Sequence, residues 1–286
     1  TTQLGTSVGS NYWTNYDAGT GLYTDGPLLT AAKAAITSRG GDATQPMPTA
    51  AYLDLGGSDS QIFYNGTMTK PILYGAFNHI VASLQAAGVA KVCITPIGQR
   101  AVFASVFQDG HQQVREVQMQ ITADLAGAGV ILGPESYDLP KRDGLHPTDD
   151  SYVDWGGRQA EFHAKFVSGI NTGWVPRQTI ASATYNATEN TITVLLNIDS
   201  ADRGNYPANP EGFTVLNSSG VAVPILRAHW GALKTLKLFL GGGAGAATGG
   251  TLYYIYNNVA LIEPIRVPRG TVFRYGDPLR PAKITL

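Results

Sequence analysis

The spacing of apolar residues changes character near residue 171, and this switch limits the chain to an α/β domain followed by an all-β one. Before the switch, short apolar runs alternate with helical patterns. "KPILYGAFNHIVASLQAAGV" carries Ile72, Leu73, Phe77, Ile80, Val81 and Leu84 at helical spacing, with Gly88 as its stop. "VREVQMQITADLAGAG" puts Val114, Val117, Ile121 and Leu125 on one face. A weaker helix, "GPLLTAAKAAITSRGG", opens near Asp25 and Pro27 and ends at Gly40, and "SYVDWGGRQAEFHAKFVSGI" reads as a closing helix interrupted by glycines. Between them, "AAYLDLGG", "KVCITPIG" and "VILGPESYDL" read as buried strands. Strands alternating with helices of this length predict βαβ units and a parallel sheet.

After "NTGWVPRQ" the pattern is β-branched and alternating. "TIASATYNATENTITVLLNI" turns at "ATEN", "GFTVLNSSGVAVPILRAHW" turns near Ser218–Gly220, and "TLKLFL" and "TLYYIYNNV" follow, separated by "GGGAGAATGG". Short strands with polar turns predict a β-sandwich. The boundary is expected within residues 171–178, giving an α/β domain over 1–172 and an all-β domain over 178–286. The last stretch, "VFRYGDPLRPAKITL", reads as an extended tail packing back on a domain.

Composition narrows the function. A net charge of -1 supplies no basic field for nucleic acid or an anionic membrane. No apolar run approaches the roughly 20 residues of a membrane helix. Cys93 is the only cysteine, so no disulfide forms within the chain and cysteine-built zinc sites are excluded. It lies inside a strand and reads as a small core residue. No metal-ligand cluster and no cofactor motif is visible. The start, "TTQLGTSVGSNYW", has no initiator Met and no signal-peptide pattern; the expectation is that something was removed or that the chain belongs to a longer product.

The segment that carries chemistry is "LPKRDGLHPTDDSYVDWGG", with Asp143 three residues before His146, after a predicted strand and before a helix. A serine esterase needs a base for the hydroxyl proton, and imidazole suits neutral pH. The base needs a carboxylate on its other nitrogen, which orients it and stabilises the imidazolium. A D-x-x-H turn supplies both from one loop, and Pro147 holds His146 extended. The alternative is that Asp143 is a turn residue and His146 a surface group.

"DGLHPT" resembles the last block of SGNH (GDSL-like) hydrolases, especially the sialate O-acetylesterase-like branch. "YLDLGGSDS" resembles the third block, usually G-x-N-D or Q-G-E-S-D. "GTSVGSNYW" with "GLYTDGPLLTAAKAAI" resembles the second. The resemblance covers about residues 1–170 and implies a flavodoxin-like, three-layer α/β domain with a parallel sheet. It implies His146 as general base, Asp143 as its partner, Gly9 and Ser58 in the oxyanion hole, and Asp59 holding the loop after the strand. Gly9 is alternatively a turn glycine, and Ser58 and Asp59 alternatively cap the next helix. The nucleophile block, G-D-S or G-Q-S-N, is not found; "VGSN" (8–11) fits the second block better. The first strand and its serine are expected in a preceding segment of the same gene product, and a domain that has lost catalysis is the second account.

Of the remaining residues, Tyr12, Trp13, Tyr16 and Tyr23 cluster in a glycine-rich stretch; Tyr12 and Trp13 are candidate sugar contacts, with loop packing as the alternative. His79 and His163 read as helix residues, His111 as a loop end, and His229 beside Trp230 as a strand edge or part of a sugar-binding surface. The expected function is an esterase that removes O-acetyl or similar acyl groups from a polysaccharide or glycan. The alternative is a non-catalytic, glycan-binding receptor-recognition protein, since this domain pair resembles phage spike and fibre proteins. Either reading places it outside the cell or on a virion surface, as a homo-oligomer or monomer, with no nucleic acid partner and no membrane span.

Overall fold

The computed structural model describes residues 2–4, 13–40, 44, 50–57, 59–64, 66, 68–97, 108–134, 136–137, 139–140, 142, 147–170, 179–197, 212–231, 234–254, 266–267, 277–278 and 282–286. The chain has mixed α/β architecture, with one small parallel sheet and several antiparallel ones. It divides into two compact units, residues 1–137 with 155–172, and residues 138–154 with 173–286.

The first unit opens with an antiparallel sheet of β1 (Thr2–Leu4), β2 (Thr14–Asp17) and β3 (Leu22–Asp25). Tyr16 and Tyr23, expected in a loop, lie instead in this hairpin. Tyr16 and Tyr23 are register partners with ring centroids 4.9 Å apart. The turn between them is closed by Asp17, whose carboxylate accepts from the Gly19 N–H at 2.9 Å and the Thr20 hydroxyl at 3.0 Å, while Gly21 takes a φ of 71°. Helix α1 (Pro27–Gly40) follows with the bounds expected from Pro27 and Gly40.

Next comes the parallel sheet, in the order β4 (Ala50–Leu53), β5 (Lys91–Ile94), β6 (Val130–Leu132). The short helix α2 (Asp59–Tyr64) and α3 (Lys70–Ala86) connect β4 to β5, and α4 (Gln108–Asp124) lies between β5 and β6. Val92, Cys93 and Ile94 are fully buried, as expected of a middle strand covered on both faces. Leu73, Phe77, Ile80, Val81 and Leu84 of α3 and Val114, Val117 and Ile121 of α4 fill the same core. Each such side chain contributes about 1.5–3 kcal/mol by leaving water. Tyr23 joins β3 to α3: Gly75 leaves room for its phenol, which donates to the Ile72 carbonyl at 2.9 Å.

Helix α5 (Asp149–Phe162) runs through Gly156 without a break, contrary to the expected glycine interruption. A glycine costs a helix about 1 kcal/mol, which burial of the Phe162 side chain, worth about 1.5–3 kcal/mol, outweighs. The irregularity comes later, as a π-helical turn over His163–Val167. There the Lys91 ammonium donates to the Phe166 carbonyl at 2.6 Å, satisfying a group that the helix end leaves open.

In the second unit, β7 (Thr179–Asn186), β8 (Thr191–Asn197), β9 (Phe213–Leu216), β10 (Ala222–Val223), β11 (Ile225–Trp230), β12 (Thr235–Leu240) and β13 (Thr251–Tyr254) are followed by β14 (Arg266–Val267), β15 (Asp277–Pro278) and β16 (Ala282–Thr285). They form two four-stranded antiparallel sheets, β10-β9-β13-β16 and β11-β12-β8-β7, and a β14-β15 pair. Pro224 separates β10 from β11, so the expected hairpin donates its end to the other sheet. Ile192, Val194 and Leu196 alternate with exposed residues on β8, and Leu236, Leu238 and Leu240 are buried on β12. The tail returns as expected, with β16 pairing β13. Among the described residues, no helix is long and apolar enough to cross a membrane.

Candidate functional site

The carboxyl ends of parallel strands are where open α/β sheets bind ligands, so the residues that follow β4, β5 and β6 define the candidate region. The ladder runs on past the strands: Thr95 N–H donates to Leu53 O at 2.9 Å, and Gly133 N–H to Ile94 O at 2.6 Å. A Cβ at Gly133 would lie 3.0 Å from Thr95 Oγ1, so a glycine is the residue that lets these two loops meet.

Gln118 fixes the loops behind the region. Val114, Val117, Gln118 and Ile121 share one face of α4, and all four are buried. The Gln118 amide donates to Leu55 O at 2.8 Å and Thr95 O at 3.1 Å, and its oxygen accepts from Ile97 N–H at 3.0 Å. One side chain thus joins the loop after β4 to the loop after β5. Gly56 has a φ of 116°, and a Cβ there would meet Val114 Cγ1 at 2.5 Å. Helix α4 therefore lies directly against the post-β4 loop.

The same region buries several polar groups. Asp59 is 1% exposed in the first turn of α2, and Ser60 is fully buried, with its hydroxyl donating to Gly57 O at 2.7 Å. His111 and Arg115 lie one turn apart on α4, each 1% exposed. Sequence reasoning placed His111 at a loop end; the structure puts it inside α4. Asp109-Gly110 imitates a turn, but Gly110 is a point of close helix approach, where any Cβ would collide with the Ser60 carbonyl. Burial pulls the Arg115 guanidinium down to about 10, with Tyr137 and Glu116 opposing that shift, so it remains a cation at neutral pH. Arg115 also donates to the Gln112 side chain at 3.3 Å. On α5, Gln159 Nε2 reaches Thr95 Oγ1 at 3.4 Å, at the end of β5. Gln159 Oε1 and the Trp155 indole N–H are buried with no hydrogen-bond partner among the described residues.

Of the residues singled out from sequence, Asp143, His146, Gly9, Ser58 and Tyr12 lie outside the described residues. Asp59 opens α2, as above. Trp13 immediately precedes β2, half-buried against the core, and its carbonyl accepts from Gly26 N–H at 2.8 Å. Arg115, Gln118 and Gln159 escaped the sequence reading. A polar residue on the apolar face of a helix, as at Gln118, is the signal that could have revealed one of them. Among the described residues, no group of three or more His, Cys, Asp or Glu is placed to hold a metal ion.

A second polar cluster lies on β3, α1 and α3. Asp25 accepts from Lys33 at 2.6 Å, His79 at 2.8 Å and Ser83 at 3.2 Å, and the Tyr23 ring stacks beside His79. Elsewhere, Tyr52 on β4 pairs with His163 Nδ1 at 2.9 Å. Burial pushes the Tyr52 phenol up, and neighbouring Cys93 adds to the shift, so it stays protonated.

No protein-family model and no curated protein sequence matches the chain. Among solved structures it is similar to a crystal structure of the S-layer protein rSbsC, at 10% identity and a TM-score of 0.26, over 80% of this chain and 30% of that one. It is also similar to the N-terminal part of the bacterial S-layer protein SbsC, at 9% identity and a TM-score of 0.25, over 80% of this chain and 53% of that one.

Proposed function

We propose that this chain carries the base and orienting carboxylate of an SGNH-type serine esterase that removes O-acetyl or similar acyl groups from a polysaccharide or glycan. The observation that carries the reading is the D-x-x-H sequence, Asp143 to His146, which in chain order follows β6 and precedes α5. His146 is the general base, and Asp143 orients it. A serine oxygen attacks the acyl carbonyl as His146 takes its proton; the sugar oxygen leaves with that proton, and water activated by His146 then releases the acid. Gly9 and Ser58 meet the oxyanion, Asp59 holds its loop, and Tyr12 and Trp13 contact the sugar.

The parallel order β4-β5-β6 supports this reading. Adjacent strands consecutive in the chain are what one half of the doubly wound order 2-1-3-4-5 contains, and a flavodoxin-like three-layer layout is part of the proposal. So is the division into a catalytic domain over 1–172 and a β-sandwich over 178–286 that serves binding or assembly. The reading carries with it an extracellular or virion-surface location.

The test is acetate release from an O-acetylated polysaccharide by the intact protein and by His146→Ala. Release that His146→Ala abolishes supports the esterase. Equal release by both removes His146 from the mechanism. No release by either, with glycan binding retained, favours the receptor-recognition reading.

A further inference from the structure

The sheet β11-β12-β8-β7 holds no Asp or Glu in any of its four strands, yet it carries Arg227, His229 and Lys237. Strand register puts these three on one face. Arg227 is opposite Phe239, His229 is opposite Lys237, and Lys237 is opposite Thr193. Thr193 in turn faces Thr184 on β7. Their strand neighbours Ile192, Val194, Leu236 and Leu238 are buried, so this is the face turned away from the core.

The face is open and its cations are held in place. Arg227 and His229 are exposed, as is Leu195. The Arg227 guanidinium lies 4.0 Å over the Phe239 ring centroid. That stacking holds the guanidinium against the ring while Arg227 stays exposed. Lys237 lies 5.6 Å over the same ring and pairs with Glu189, in the β7–β8 turn, at 2.6 Å. Arg227 has no carboxylate partner among the described residues. With strands roughly 4.8 Å apart and same-face residues about 7 Å apart along a strand, the three groups share one small patch.

We propose that this face binds an acidic polysaccharide, with Arg227 taking a sugar carboxylate and Lys237 and His229 flanking it. A guanidinium fork matches a carboxylate in a paired hydrogen-bond geometry. The hydroxyls of Thr193 and Thr184 suit sugar hydroxyls, and exposed Leu195 offers an apolar contact for a sugar ring. A nucleic acid fits less well, because the net charge of -1 gives the chain no extended basic field. The proposal deepens the glycan reading above by naming the substrate class, but it does not need the esterase chemistry.

The experiment titrates the intact chain with polygalacturonate, with the same polymer after carboxyl reduction, with dextran sulfate and with duplex DNA. Arg227→Gln and Arg227→Lys are measured beside the native protein, with thermal unfolding as the fold check. The expected result is binding to polygalacturonate that salt weakens, at least tenfold weaker binding after carboxyl reduction, and at least tenfold loss in Arg227→Gln. Arg227→Lys should recover only part of that loss. Equal affinity for the reduced polymer, no effect of Arg227→Gln, or equal binding of dextran sulfate and DNA would overturn it. None of these polymers need carry an acetyl group, so failure of the esterase leaves this result standing, and failure here leaves acetate release to be judged alone.

Discussion

Gln118 Nε2 lies 2.8 Å from the carbonyl oxygen of Leu55, and the same amide spans 3.1 Å to the carbonyl of Thr95. With Ile97 N–H on its oxygen, Gln118 closes three backbone groups that two loops would otherwise leave open. Each buried group left unsatisfied costs about 1–3 kcal/mol. Gln118→Leu should therefore destabilise the protein by about 3 kcal/mol, read as a fall in urea midpoint without change in m. Gln118→Glu should be worse at pH 7 than at pH 5, because a carboxylate facing two carbonyls must lose its charge to be tolerated. A variant within 0.5 kcal/mol of the native protein would show that the bracket is dispensable.

Gly56 and Gly156 make a contrasting pair. At Gly56 the φ of 116° and the nearness of Val114 combine, so Gly56→Ala should cost about 3 kcal/mol through strain and overlap. Gly156 lies in α5 with open space around its would-be Cβ. Gly156→Ala should stabilise by about 0.5–1 kcal/mol through helix propensity alone. Denaturant unfolding of both variants measures the two signs together.

The Asp25 cluster predicts a pH signature. Burial raises the Asp25 carboxyl, but hydrogen bonds from Lys33 and His79, with help from Ser83, outweigh it, and the net shift is downward. A lowered folded-state value means that the stabilisation is present above the unfolded value of about 3.9 and is lost as pH falls through the folded value. Asp25→Asn should cost about 1–2 kcal/mol at pH 6–7. The gap in Tm between native protein and variant should close as pH falls below 4. A gap that persists at pH 2.5 would assign the effect to packing.

The helices of the first unit were legible because their apolar residues recur with a helical period, as at Leu73, Phe77, Ile80 and Leu84. The parallel strands were legible as short apolar runs between them. The β2–β3 hairpin was not, since Gly19 and Gly21 around Asp17 gave the stretch a loop-like composition, although two short tyrosine-bearing runs flanking such a turn are themselves a hairpin signal. Pro224 was a visible breaker, but which sheet takes each flanking strand depends on pairings distant in sequence. The candidate region was read only from its motif. His111 and Arg115 are buried by the contact of α2 with α4 at Gly110, a tertiary event that no local pattern announces.

The most direct test of the esterase reading is acetate release from an O-acetylated polysaccharide by the intact protein, by His146→Ala and by Asp143→Asn, with binding of the same polysaccharide measured alongside. The base acts in the transition state and adds little to ground-state affinity. The account predicts that His146→Ala abolishes release, that Asp143→Asn loses as much or less, and that both bind the glycan within about threefold of the native protein. Undiminished acetate release by a folded His146→Ala protein would contradict it.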